Sequence, residues 1–234
     1  MTERKSLQFL SLCAGLALVV LASSNIFGVR AANDNNGSQD EKLMIQTGLA
    51  AAVSLGIPLN MSNKDADMVG LGSYMVNVAS GCNGCHSAGP ATEYAPGGNP
   101  YLLTGPNPPL FSGRTMVNLA TYLGGGRSFG SFGPGPAAEI KSANLTPDKN
   151  GKPEGHTLAQ FIQIFRTGID PDGDHPSCGG SITTNCLSFP FNGAVLQVMP
   201  WPAYQKMTDR QITAIYTYLS AIPCLAGGDP NRCH

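Results

Sequence analysis

Three stretches of the chain carry apolar residues at helical spacing. After Asp65 or Asp67, either able to cap a helix, Met68, Leu71, Met75, Val78 and Ala79 fall on one face, and the pattern runs on into Cys82. A second helix begins at Thr157, where Thr157-x-x-Gln160 is a capping box, carries Phe161, Ile162, Ile164 and Phe165, and stops at Gly168. A third begins at Thr208-x-x-Gln211, another capping box, with Met207 and Ile212 spaced as a hydrophobic staple. Ile212, Ile215, Tyr216 and Leu219 line its face, and Pro223 ends it. This last helix is expected to cross the first. Weaker patterns predict one or two helical turns around Leu49 to Val53 and a short helix within Arg114 to Leu123. The pattern as a whole predicts an all-α core.

The remainder is segmented by polarity. Residues 1–31 read as an export signal: Arg4 and Lys5 form a charged start, an apolar run follows from Leu7 to Ala22, and Val29-Arg30-Ala31 offers cleavage after Ala31. The uncharged stretch from Ser6 to Val29 is also long enough for a membrane anchor. Leu12 before Cys13 is too large for a usual lipoprotein cleavage site. Residues 32–64 read as a linker and N-terminal extension, with Ala32 to Asp40 small, polar and flexible. Residues 65–225 form the main domain and 226–234 a C-terminal tail.

Composition changes this picture in two ways. With 29 glycines, 18 prolines and only 12% charged residues, long irregular loops must surround the helices. Loss of residues 1–31 removes Glu3, Arg4, Lys5 and Arg30 and moves the net charge from −1 to −3, which gives no support to nucleic-acid binding. The glycine run Gly124 to Gly130 matches no phosphate-loop spacing and follows no strand. Asp170, Asp172 and Asp174 alternate like the start of a calcium loop, but His175 stands where glycine is needed. Export suits the four cysteines Cys178, Cys186, Cys224 and Cys233, for which proximity favours the pairs 178–186 and 224–233 among three connectivities.

The chemistry concentrates in Cys82-Asn83-Gly84-Cys85-His86. Two thiols three positions apart on one turn can bond to the vinyl groups of a haem, and the adjacent imidazole can ligate the iron: this is the c-type attachment pattern. A thioredoxin-like pair would need a βαβ setting, and a structural zinc site a second close thiol pair; the sequence has neither. Cys224…Cys233-His234 ends the chain with nothing left to enclose a second porphyrin.

A second axial ligand decides between a saturated iron and an open one. Met44, Met61 and Met68 precede the attachment turn, Met75 lies on the first helix and Met207 has the staple position. Met199, in the apolar loop Gln197-Val198-Met199-Pro200-Trp201 before the last helix, is the strongest candidate; Met116, His156, His175 and His234 remain alternatives. Arg127, Arg166, Trp201 and Tyr204 could donate to haem propionates.

Gly72-Ser-Tyr74 before the CxxCH motif, Asn144-Leu-Thr-Pro147-Asp148, Phe161…Arg166-Thr-Gly168, Met199-Pro-Trp201 and Thr208-Asp209…Ile215-Tyr216-Thr-Tyr218-Leu219 resemble the class I cytochromes c of bacterial periplasm. The order is similar to the haem modules in cytochrome subunits of membrane-bound alcohol and gluconate dehydrogenases. The resemblance covers about residues 65–222, with unmatched insertions near 88–140 and 170–196. It implies an all-α cytochrome c fold with long loop insertions, haem c held by Cys82 and Cys85, and axial ligands His86 and Met199. It also implies a haem-side role for Asn144 to Asp148, with Thr146 or the backbone meeting a propionate. Those dehydrogenase subunits string three modules together, whereas this chain has one attachment site. The expectation is an exported, periplasmic one-electron carrier rather than an enzyme, meeting redox partners such as a dehydrogenase, an oxidase or another cytochrome. A subunit docked in a membrane complex, and a haem enzyme or gas sensor with a labile sixth ligand, are the alternatives.

Overall fold

Asp65 is the residue that starts the central helix: its carboxylate accepts from the amides of Asp67 (2.9 Å) and Met68 (3.2 Å), two donors that the first helical turn leaves without a partner. The computed structural model describes residues 34–107, 110–130, 140–171 and 195–234. The export segment with Cys13, the Cys178–Cys186 pair, Asp172, Asp174 and His175 all lie outside them. Among the described residues the chain is helical and has no strand, only isolated bridges such as Tyr94 to Val117.

Helix α1 spans Asp34–Leu55, helix α2 Ala66–Ser73, and α2 continues as a π-helical segment, Tyr74–Ala79. The wider π turns bond Ser80 to the Met75 carbonyl (2.9 Å) and lead Cys82 back to that of Val76 (3.0 Å). They also correct the predicted face. The extra residue per turn brings Val76 into the core and leaves Val78 47% exposed. Val69, Leu71, Met75 and Val76 form the buried set.

The reading of 32–40 as a flexible linker is corrected from Asp34 onward, where α1 begins. Polarity alone hid it: the buried stripe Ile45, Ala52 and half-buried Leu49 lies further along, and a docked helix propagates into a polar N-terminal stretch at little cost. Glu41–His234 forms one compact unit. Gly48 of α1 meets Gly70 of α2 where neither position has room for a methyl group, and Ser73 donates to the Gly48 carbonyl at 2.6 Å.

Helices α4 (Leu158–Thr167) and α6 (Asp209–Leu219) begin at the two predicted capping boxes, and Gly168 closes α4 in the left-handed region at φ 69°. Between the central and final helices run α3 (Asn83–His86), α4, and the short α5 (Trp201–Tyr204). As expected, α6 crosses α2. A Cβ on Gly72 would overlap the carbonyl of Ala214, so the two backbones touch there. Around the crossing, Tyr122 donates to Asn77 Oδ1 (2.6 Å) and meets the Tyr218 hydroxyl (2.8 Å), while Asn77 donates to Tyr218 (3.0 Å) and Ser73 (3.1 Å). Burial raises the pKa of both tyrosines, so these hydroxyls stay protonated as donors.

Arg114–Leu123 forms no helix. Val117 bridges to Tyr94, the Asn118 side chain accepts from Ala120, and Leu123 sits at φ 56°, so local bonds replace the helical ladder. The Cys224–Cys233 disulfide is formed, with Cα atoms 5.8 Å apart. No described helix is long and apolar enough to cross a membrane.

Gly72→Ala is expected to cost about 1–3 kcal/mol by overpacking the crossing, whereas Gly228→Ala, with open space at its Cβ, should be near neutral. Chemical denaturation of the two variants measures the difference, and equal midpoints would remove the crossing from this account.

Candidate cofactor site

The Cys82–His86 turn is held by bonds within it and by bonds from loops distant in sequence. Gly81 at φ 59° turns the chain out of the π segment, after which Cys85 and His86 bond back to the Cys82 carbonyl at 3.1 and 2.9 Å. Asn83, between the thiols, is buried, and its Oδ1 accepts from the Leu123 amide at 3.0 Å. The Gly125 amide donates to the His86 carbonyl (2.6 Å) and the Arg127 guanidinium to the Gly84 carbonyl, satisfying groups that the end of a short helix leaves open.

His86 Nδ1 lies 2.9 Å from the carbonyl of Ala143. A carbonyl only accepts, so Nδ1 carries the proton and Nε2 keeps its lone pair. Burial lowers the imidazole's pKa, opposed by the Ala143 bond. A neutral ring with one free nitrogen is the form in which histidine binds a metal.

His86 forms part of the wall of a cleft of about 350 Å³ with Cys82, Cys85 and Met199. Val76, Leu145, Phe161, Phe165 and Ile215 supply apolar surface. Both cysteines are unpaired; burial pushes the free Cys82 thiol up to about 12, so before any covalent attachment it is a neutral thiol. Two thiols and an imidazole on one turn, with a thioether on the same cleft, are a donor set that fits a covalently held haem iron. Phe129, Ile140 and Ala143 also line this cleft, and no sequence pattern marks them, since all three lie in loops without periodicity. Among the alternatives for the sixth ligand, Met75 is a core residue and Met116, His156 and His234 are absent from the cleft wall, while Met207 lines it beside α6.

The loop bearing Met199 is latched to the end of α4. Leu196 N donates to the Gly168 carbonyl (2.8 Å), Trp201 Nε1 donates to the Leu196 carbonyl (3.2 Å), and the indole lies where a Cβ of residue 168 would stand. Arg166 continues the latch with bonds to the carbonyls of Gln205 and Met207 (2.7 Å to the latter) and to Asp209 (2.6 Å). The motif residues Arg166, Gly168 and Trp201 therefore position the Met199 loop, with the Trp201 N–H bonded to the Leu196 carbonyl. Tyr204 lines the cleft, and Arg127 lies with its guanidinium 5.3 Å from the ring centre of Phe129.

Asn144 and Thr146 face elsewhere. Thr146 is fully buried, donates to Asn144 Oδ1 (2.6 Å) and accepts from the Leu225 amide (3.0 Å), while Asn144 donates to the Leu225 carbonyl (2.8 Å). Arg232 donates to the carbonyls of both (3.1 and 2.7 Å). In this extended stretch alternate residues point to opposite sides, so Ala143 and Leu145 take the cleft and Asn144 and Thr146 the C-terminal tail.

Over 98 residues, 42% of the chain, the sequence is 29% identical to the fructose dehydrogenase cytochrome subunit of Gluconobacter japonicus. The chain is similar to part of a cytochrome subunit. The matched stretch spans 15% of that subunit's own length. No family model matches the chain, and no solved structure does.

Trp201 is the chain's single tryptophan, so in protein without haem, such as the double variant Cys82→Ala with Cys85→Ala, its fluorescence reports on the latch free of haem quenching. Gly168→Ala is expected to displace the indole and change its emission in intensity and wavelength; an unchanged spectrum would mean that the packing against residue 168 does not hold the loop.

Proposed function

We propose that this chain is an exported, periplasmic electron carrier with one haem c bound through Cys82 and Cys85 and axial ligands His86 and Met199. The observation that carries the reading is that these four side chains line one apolar cleft, with the His86 ring nitrogen away from Ala143 left free for a metal. A haem there would supply a one-electron ferrous–ferric couple. The chain's own part is to exclude water with Val76, Leu145 and the two phenylalanines, to hold the imidazole through Ala143, and to hold the thioether through the Gly168–Trp201 latch. Rigid placement of two ligands keeps the rearrangement on electron transfer small, and a methionine opposite a histidine favours a higher potential than a second histidine. Similarity to a cytochrome subunit supports electron transfer as the role.

A second reading has one observation in its favour: the relative is, by its name, a subunit of a dehydrogenase. The chain would then work docked in a membrane dehydrogenase or oxidase complex, with the irregular segments after the attachment turn meeting the partner. Co-purification of the tagged chain with a dehydrogenase from membranes separates the two readings.

Cys82→Ala is expected to leave haem bound by one bond at most, and the double variant with Cys85→Ala to release it to acidified acetone, whereas the wild type keeps the added mass. Met199→Ala is expected to bind carbon monoxide readily when reduced and to lower the potential on the order of 0.1 V. Unaltered low-spin spectra in Met199→Ala would refute the ligand assignment.

A further inference from the structure

Glu154, His156 and Asp170 converge beside the cleft, and none of them belongs to the attachment turn or to the Met199 loop. Their side chains are 16%, 2% and 8% exposed. His156 Nε2 lies 3.6 Å from Asp170 Oδ1 and 4.0 Å from Glu154 Oε2, and one ligand atom from each residue falls within 4.8 Å of the others. Two ligands that share one cation, each about 2.0–2.2 Å from it, lie roughly 3–3.6 Å apart. The Asp170 distance already meets that spacing, and the Glu154 distance reaches it with a small side-chain rotation.

We propose that Glu154, His156 and Asp170 form a binding site for one divalent transition-metal cation of the zinc class. One imidazole nitrogen and two carboxylate oxygens are a donor set for such an ion; a copper(I) site would call for sulfur and a calcium site for six or more oxygens. The backbone that presents them is pinned. Glu154 N donates to the Thr146 carbonyl (3.2 Å), His156 N to that of Pro153 (2.9 Å), and the Tyr216 hydroxyl to that of His156 (3.0 Å). Pro147 and Pro153 bridge across the base of the loop. Asp170 arrives from the far end of α4, just past its Gly168 cap, so a shared ion ties the loop before α4 to the segment after it. Glu154 and Asp170 also line the cleft, so an ion held here would lie at its wall. The proposal does not rest on the haem reading, because it uses none of those ligands.

The test is a zinc titration of the purified full-length protein, stripped with EDTA, followed by calorimetry and by the zinc content retained after desalting. The wild type is expected to bind one equivalent, and Glu154→Gln and Asp170→Asn, both close to isosteric, to bind at least ten-fold more weakly. His234→Ala, at the exposed tail, should keep the equivalent. Circular dichroism selects the folded carboxamide variants, and either one alone decides the matter. Absence of bound zinc in the wild type, or equal binding in a folded carboxamide variant, overturns the proposal. Cys82→Ala with Cys85→Ala should lose covalent haem and retain zinc, so failure of the haem reading and failure of the metal site are read separately.

Discussion

The crossing of α2 and α6 at Gly72 is the constraint from which the rest follows. With no side chain at that position the α2 backbone lies against the Ala214 carbonyl, and this closeness brings the Tyr122–Asn77–Tyr218 hydrogen bonds within reach. The same closeness aligns Val76 of the π segment and Ile215 of α6 as walls of one cleft. Gly48 and Gly70 repeat the device on the other side of α2, so the central helix is gripped by backbone contact from two directions. A helix held in this way delivers the Cys82 turn to a defined place.

Among the described residues beyond the helices, the chain is irregular but not loosely attached. Ala143 orients the imidazole, Leu123 binds Asn83, and Gly125 and Arg127 cap the carbonyls of the attachment turn. Each of these bonds joins a loop residue to the short turn. Loops that contribute almost no periodic apolar surface are thus held by satisfying polar groups that a four-residue helix leaves open. The long segment after His86 is then part of the site as well as its cover.

The Met199 side is built differently. There a short loop is fixed by one aromatic ring lying on a glycine and by an arginine that collects carbonyls from the start of the next helix. The two candidate axial ligands therefore depend on separate supports, one through the π segment and its loop bonds, the other through the end of α4.

By itself the sequence determined the features that depend on neighbours a few residues away. The capping boxes at Thr157 and Thr208, the helix end at Gly168 and the Cys82–His86 spacing are local chemistry, and each stands where its pattern placed it, whereas the fold chose Asp65 over Asp67 as the first cap. Tertiary structure decided what local pattern cannot carry. The π turns moved Val78 out and Val76 in because the register of a helix answers to what it packs against. Residues 34–40 became helix because an apolar stripe beyond them is docked, and 114–123 did not because side-chain and loop bonds compete with the helical ladder. Asn144 and Thr146 have the right chemistry for a propionate, yet Leu225, distant in sequence, engages both side chains. Which ring nitrogen of His86 is free was likewise settled by a carbonyl 57 residues away, because only the folded chain brings Ala143 beside it.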